Sequence, residues 1–219
     1  MWSSDTIRYI NGILCDNASH LISRWFLMSA EAPRENGEKK MSRIAPVVSS
    51  NVDAKVAATL ANVKANLGMI PTLVATLAHS STALDGYLSL SKVLSRSRLS
   101  DRQREIVALT VAQENECQYC LSAHTARAKA AGVSEAEALK ARGGDGEQPF
   151  ERAVASLAKT IVRQRGHVLD KDIERARKAG IDDGLIMEII ANVVGNTFTN
   201  YANEVAKTEI DFPVVEVKL

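Results

Sequence analysis

The sequence predicts an all-α protein, a compact multi-helix domain in which a helical hairpin carries a CxxC motif. Three observations predict it. From Asn51 onward apolar residues recur at helical spacing, as in the stripe Val52, Val56, Leu60 and Val63 and in the run that begins at Leu84, Tyr87 and Leu88. Period-two alternation, the mark of half-buried strands, is nearly absent. Capping-box spacing, in which side chains satisfy the first free amides of a helix, occurs at Ser100 with Gln103 and at Ser134 with Glu137.

In chain order, residues 1–40 read differently from the rest. They hold both tryptophans, Trp2 and Trp25, and end in a polar stretch, Glu31 to Lys40, with Pro33 and Gly37. They are expected to be an extension, disordered or weakly helical between Ile7 and Phe26, with the helical domain spanning 41–219. Asp16, Asn17, His20 and Arg24 interrupt any apolar core of a secretory signal, so export is not expected. Breaks at Gly68 to Pro71, Ser80 and Ser81, Gly132, Gly143 to Pro149, Gly166 and Gly180 cut the remainder into helix-length pieces. Two of them rhyme: "KAAGVSEAEALKA" from Lys129 and "KAGIDDGLIMEII" from Lys178 each stop a helix at glycine and start another two residues later. The last helix, about Asp182 to Lys207, is apolar almost all round through Val194, which predicts a central helix on which others pack.

A chain of 219 residues with 46% hydrophobic and 24% charged residues can bury a sizeable core. Its net charge of +1 supplies no field for nucleic acid or an anionic membrane, so small molecules are the expected partners. No apolar run approaches the ~20 residues that span a bilayer. Three cysteines are too few for a disulfide framework, and Cys15 stands alone, so a reducing, cytoplasmic setting is expected.

The informative segment is Arg104 to Gly132, where one helix ends near Glu114 or Asn115 and another opens around Cys117 with Asn115 as a plausible N-cap. Thiol pKa falls at a helix N-terminus, where unpaired amides favour the thiolate. Cys117 and Cys120, three apart, can meet as a disulfide, and Cys120 and His124, four apart, are neighbours at about 5 to 6 Å between Cβ atoms. Cys117 and His124 lie two turns apart, about 10 Å along the axis, too far for a hydrogen bond. An imidazole that takes the thiol proton makes Cys120 the attacking sulfur and Cys117 the resolving one. If the chain reverses between Glu114 and Glu116, Glu105 approaches His124 and orients it.

Glu105 followed by Cys117-Gln-Tyr-Cys120-Leu-Ser-Ala-His124 resembles the E-x11-C-x2-C-x3-H signature of the alkylhydroperoxidase D and carboxymuconolactone decarboxylase-like family. "NLGMIPTLVATLAHSSTAL", "ARAKAAGVSEAEALKAR" and "NTFTNYANEVAKTEIDFP" extend the likeness over roughly Met41 to Pro213. The resemblance implies an all-helical homo-oligomer, often a trimer or hexamer, that reduces hydrogen or organic peroxides. In it Cys120 is the peroxidatic thiol, Cys117 the resolving and more exposed one, and His124 with Glu105 a proton relay. An external dithiol would regenerate the pair, with no cofactor and no metal. One departure is Tyr119, where alkylhydroperoxidase D proper has a histidine between its cysteines.

Other readings stay beside this one. A zinc site needs four ligands, and Cys117, Cys120 and His124 make three. Action on a lactone or carboxylate is the family alternative, although its decarboxylases lack the CxxC pair, and a non-enzymatic redox-sensing oligomer is another. His79 reads as a helix-end residue, and His167 as solvated. Asn192, Asn196 and Asn200 make an i, i+4, i+8 stripe of poor helix formers, read first as interhelical or intersubunit bonding and second as pocket lining.

Overall fold

The computed structural model describes residues 42–219, so the expected N-terminal extension and Cys15 lie outside the described residues. After a 3-10 turn at Ser49–Asn51 come nine α-helices: α1 Ala54–Leu67, α2 Thr72–Leu77, α3 Ser81–Leu94, α4 Asp101–Glu114, α5 Gln118–Ala130, α6 Glu135–Arg142, α7 Pro149–Arg163, α8 Asp170–Lys178 and α9 Asp183–Ala206. There is no strand among the described residues.

The helix ends follow the local chemistry of the sequence. Asp53, Ser80 and Asp182 cap α1, α3 and α9 through their side chains, and both expected capping boxes form, Ser100 with Gln103 and Ser134 with Glu137. Pro149, which lacks an amide to satisfy, opens α7. The rhyming segments are the same device twice: Gly132 and Gly180 take left-handed φ of 81° and 89°, and the amides of Val133 and Ile181 bond back to Ala128 and Ala176. An L side chain is strained at such φ, so glycine ends both helices.

The most deeply buried helix is α4, and α9, expected as a central helix, packs against α2, α3, α4, α5 and α7. Every residue from Glu105 to Ala112 is buried, and α4 packs against α5, α6, α7 and α9. It divides the interior. Ile106 and Leu109 join Leu60, Leu73, Leu84 and Leu121 on one side, while Val107 and Val111 join Val154, Ile181 and Ile189 on the other. Full burial of each large aliphatic contributes about 1.5–3 kcal/mol. The sequence reading placed the central role on α9, which does pack on several helices. Its apolar residues continue onto an outer face, however, with Met187 60% and Val194 56% exposed. Apolar composition all round a helix shows that something can cover it, not that this chain does.

Beyond α9 the chain runs back without helix across the start of α5. Asp211 accepts from Thr72 N, Thr72 Oγ1 and Tyr119 Oη at 2.8, 2.5 and 2.7 Å. Phe212 packs edge-on against the Tyr119 ring at 5.7 Å. The Val215 amide donates to Ser122 Oγ at 3.0 Å, and the Val217 carbonyl accepts from Gln113 and Arg142.

Candidate active site

The site starts with how α4 stops. Glu116, exposed, takes φ 54°, and the amides of Glu116 and Cys117 bond to the carbonyls of Gln113 and Ala112 at 3.1 and 2.9 Å. This is the Schellman stop, here without glycine. It puts Cys117 in two roles, last residue of one helix stop and N-cap of the next helix. Its sulfur takes the place of a capping oxygen and accepts from the Cys120 amide at 3.3 Å. Asn115, expected as the N-cap, instead closes α4, and its side-chain amide donates to Asn200 Oδ1 at 2.9 Å. The chain needs one residue more to reverse, so the cap falls on the cysteine.

Both sulfurs are buried, Cys117 at 0% and Cys120 at 3% exposure. The expectation that Cys117 is the more exposed of the two is therefore corrected. It sits under the turn that its own capping bond tightens, within the apolar cluster that Phe212, Val215 and Val217 pack against. Burial alone would raise Cys120, but the polar groups of Cys117, Asn203, Asn200 and Thr199 around it outweigh burial and hold the thiol below its ordinary value. Cys117 is pushed far up, first by giving its hydrogen bond to Cys120 and then by burial. The two sulfurs are thus unequal: Cys120 is the one that ionises first, and Cys117 is the one that keeps its hydrogen.

The reversal also brings α4 and α5 side by side, and Glu105 Oε2 lies 2.7 Å from His124 Nδ1. Glu105 Oε1 meets Arg127 Nε at 3.1 Å. Burial pushes the Glu105 carboxyl up, but the Arg127 guanidinium and then His124 more than offset this and keep it ionised below the ordinary carboxylate value. An ionised carboxylate can only accept, so Nδ1 carries the hydrogen and Nε2 is the ring nitrogen left to face a reactant. Among the described residues no hydrogen bond joins His124 to Cys120, although they stand one turn apart on α5. The four expected residues thus form two directly bonded pairs, Cys117 with Cys120 and Glu105 with His124.

Sequence reasoning missed three contributors. Arg127 lies three residues beyond His124 on the same helix side, a spacing that could have found it. Asn203 continues the α9 asparagine stripe at i+3, and its Nδ2 donates to Cys120 Sγ at 3.2 Å. Asp211 ties Tyr119 in place, and burial and then the Asp211 charge push that phenol's pKa up. Within the stripe itself, Asn192 and Asn196 bond to carbonyls of their own helix, and Asn200 makes the interhelical bond. His79 is exposed at the end of α2, with Nε2 2.8 Å from Ala45 O, and His167 is exposed.

Residues 82–148, which contain Glu105, Cys117, Cys120 and His124, match the family model described as the carboxymuconolactone decarboxylase family. The fold is similar to that of a peroxidase-related protein with the alkylhydroperoxidase AhpD core from Ralstonia eutropha JMP134. Its TM-score is 0.71 and its identity 19%, over 78% of this chain and 92% of that one. Over residues 82–148 the chain is similar to the carboxymuconolactone decarboxylase family, and over most of its length it shares the fold of the peroxidase-related protein. A second peroxidase-related protein, from Silicibacter sp. TM1040, is similar in fold at TM-score 0.70 and 20% identity, over 79% of this chain and 95% of that one. The debrominase Bmp8 is similar at TM-score 0.65 and 17% identity, over 77% and 91%. At these identities the likeness is one of fold. Among curated protein sequences the chain has no significant match. No helix among the described residues is long and apolar enough to cross a membrane.

Proposed function

We propose that the protein is a thiol-dependent peroxidase that reduces hydrogen or organic peroxides through the Cys117–Cys120 pair. The observation that supports this is the asymmetry of the two adjacent sulfurs: Cys120 Sγ accepts from Asn203 Nδ2 at 3.2 Å and its thiol is held below its ordinary value, whereas Cys117 Sγ accepts from the Cys120 amide and its thiol is pushed up. Cys120 Sγ attacks a peroxide oxygen, the O–O bond breaks, and the leaving alkoxide or hydroxide takes a proton by way of His124, oriented through Nδ1 by Glu105. Cys120 is then a sulfenic acid. Cys117 attacks it, the S–S bond forms, and hydroxide leaves with the Cys117 proton as water. An external dithiol returns the pair to thiols. Such a cycle belongs in a reducing compartment, and we place the protein in the cytoplasm.

The outer face of α9 supports a homo-oligomer. Met187, Val194, Phe198, Tyr201 and Val205 are exposed at spacings of seven, four, three and four residues, the seam of helices that pair with helices. The domain division expected at residue 41 is part of the same proposal.

The test is peroxide consumption by the reduced protein, with free thiols followed alongside, in the parent, Cys120→Ser and His124→Ala. Cys120→Ser is expected to abolish consumption, and His124→Ala to slow it by about 100-fold. Consumption by the parent no faster than by Cys120→Ser would overturn the proposal. The likeness to a debrominase names a competing substrate for the same dithiol, and 2,3,4-tribromopyrrole, the ligand of a Bmp8 variant structure, replaces peroxide in a parallel assay.

A further inference from the structure

We propose that Asn203, reaching in from α9, is a catalytic residue of the thiol chemistry: its side-chain amide donates to Cys120 Sγ and holds the reacting sulfur as a thiolate. This rests on the reading of Cys120 as the attacking sulfur. The bond is 3.2 Å long, links residues 83 positions apart, and is made by a side chain only 2% exposed.

Packing does not account for this residue. Asparagine is a poor helix former, because its side chain competes for the backbone, yet Asn200 and Asn203 stand one turn apart near the end of a 24-residue helix, both buried. Each is buried with one atom unpartnered, Asn200 Nδ2 and Asn203 Oδ1. Leaving buried amide atoms unpaired is unfavourable, and an apolar residue of the same volume avoids the cost. Both amides flank one atom, Cys120 Sγ, where a buried charge needs donors.

The other nitrogen donors nearby are otherwise engaged. Arg127 is paired with Glu105, and His124 gives its Nδ1 hydrogen to the same carboxylate. Tyr87 on α3 feels the Cys120 charge, and burial, then that charge and Glu105, raise its own pKa against the opposing pull of Arg127, so it stays a neutral phenol. Glu204, next to Asn203 on α9, acts on Cys117 and opposes its ionisation. Cys117 and Asn203 are thus the donors that favour the charged form of Cys120. Cys117 is consumed in the reaction, whereas Asn203 remains in place through every step.

The experiment is a pH titration of thiolate ultraviolet absorbance in the reduced full-length protein. A Cys15→Ser background leaves only the pair to titrate, and the lower midpoint is assigned by its loss in Cys120→Ser. Asn203→Leu, close in size but without a donor, is expected to move the Cys120 midpoint up by about 1 to 2 pH units. Asn203→Asp keeps the shape, places an acceptor beside the sulfur, and is expected to move it at least as far. It decides the matter if the leucine variant does not fold. Asn192→Leu makes the same change on the same helix at a buried amide bonded only to Glu188 O, and should leave the midpoint in place. An unmoved midpoint in the Asn203 variants, or an equal move in Asn192→Leu, overturns the proposal. The titration uses no peroxide, so it decides the role of Asn203 whether or not the protein proves to be a peroxidase.

Discussion

Glu105→Gln keeps the shape of the side chain and removes the charge on which His124 and Arg127 converge. The His124 contact, 2.7 Å to a carboxylate only 6% exposed, is a hydrogen bond to a buried charge. Such bonds contribute about 1.5–3 kcal/mol. The Arg127 contact is weaker, because that side chain is 53% exposed and water can replace the carboxylate, which leaves about 0.2–1 kcal/mol. Glutamine can still accept through one oxygen, so the net loss of stability is expected to be about 2 kcal/mol near neutral pH. The folded-state pKa of Glu105 lies below its ordinary value of 4.5, so its stabilisation is complete above that pH and disappears as pH falls through the lowered value. The assay is urea unfolding of parent and variant over a pH series descending from neutrality. The gap between the two midpoints should be widest near neutrality and close in acid, with unchanged slopes. A gap that stays constant with pH, or a variant as stable as the parent at neutrality, would refute the reasoning that Glu105 is held as a buried, ionised partner.

Three further outcomes are expected. Asp211→Ala removes the acceptor for Thr72 and Tyr119 and should cost about 2–3 kcal/mol in thermal unfolding, and it should speed alkylation of Cys117 in the native state. Glu116→Gly relieves an exposed left-handed residue and should stabilise by about 0.5–1 kcal/mol in urea unfolding, the strain of about 1–2 kcal/mol being partly offset by glycine's chain entropy. Leu109→Ala empties a fully buried position on α4 and should lower stability by about 2–5 kcal/mol by the same measurement.

Local chemistry was legible in the sequence, and long-range cover was not. The capping boxes at Ser100 and Ser134 need only residues three apart, so they could be read directly. The spacing of Cys117, Cys120 and His124 set which of them share a helix side, and the reversal that brings Glu105 to His124 could be anticipated from a break after Glu114. Asn115 was misplaced because a left-handed residue that is not glycine gives no signal, and Glu116 is such a residue. The burial of Cys117 depends on a segment a hundred residues onward, and the donor to Cys120 comes from the far end of the last helix. The open outer face of α9 has the same origin. Periodicity reports which faces are apolar, and the α9 seam is apolar without being covered by its own chain.

The segment that crosses α5 sets an order of events. Its ties to Ser122, Tyr119 and Gln118 join residues 93, 92 and 98 positions apart. The turn around Cys117 is made by contacts five residues apart or fewer. Closing long loops adds little to the equilibrium cost, about 0.6 kcal/mol per doubling of length, but contacts between distant residues form slowly. During synthesis and refolding, then, the two thiols are brought together well before the strap arrives over them. The expected consequence is an interval in which the dithiol is assembled but still open to oxidants, and folding in a reducing medium would protect the pair until that segment has closed.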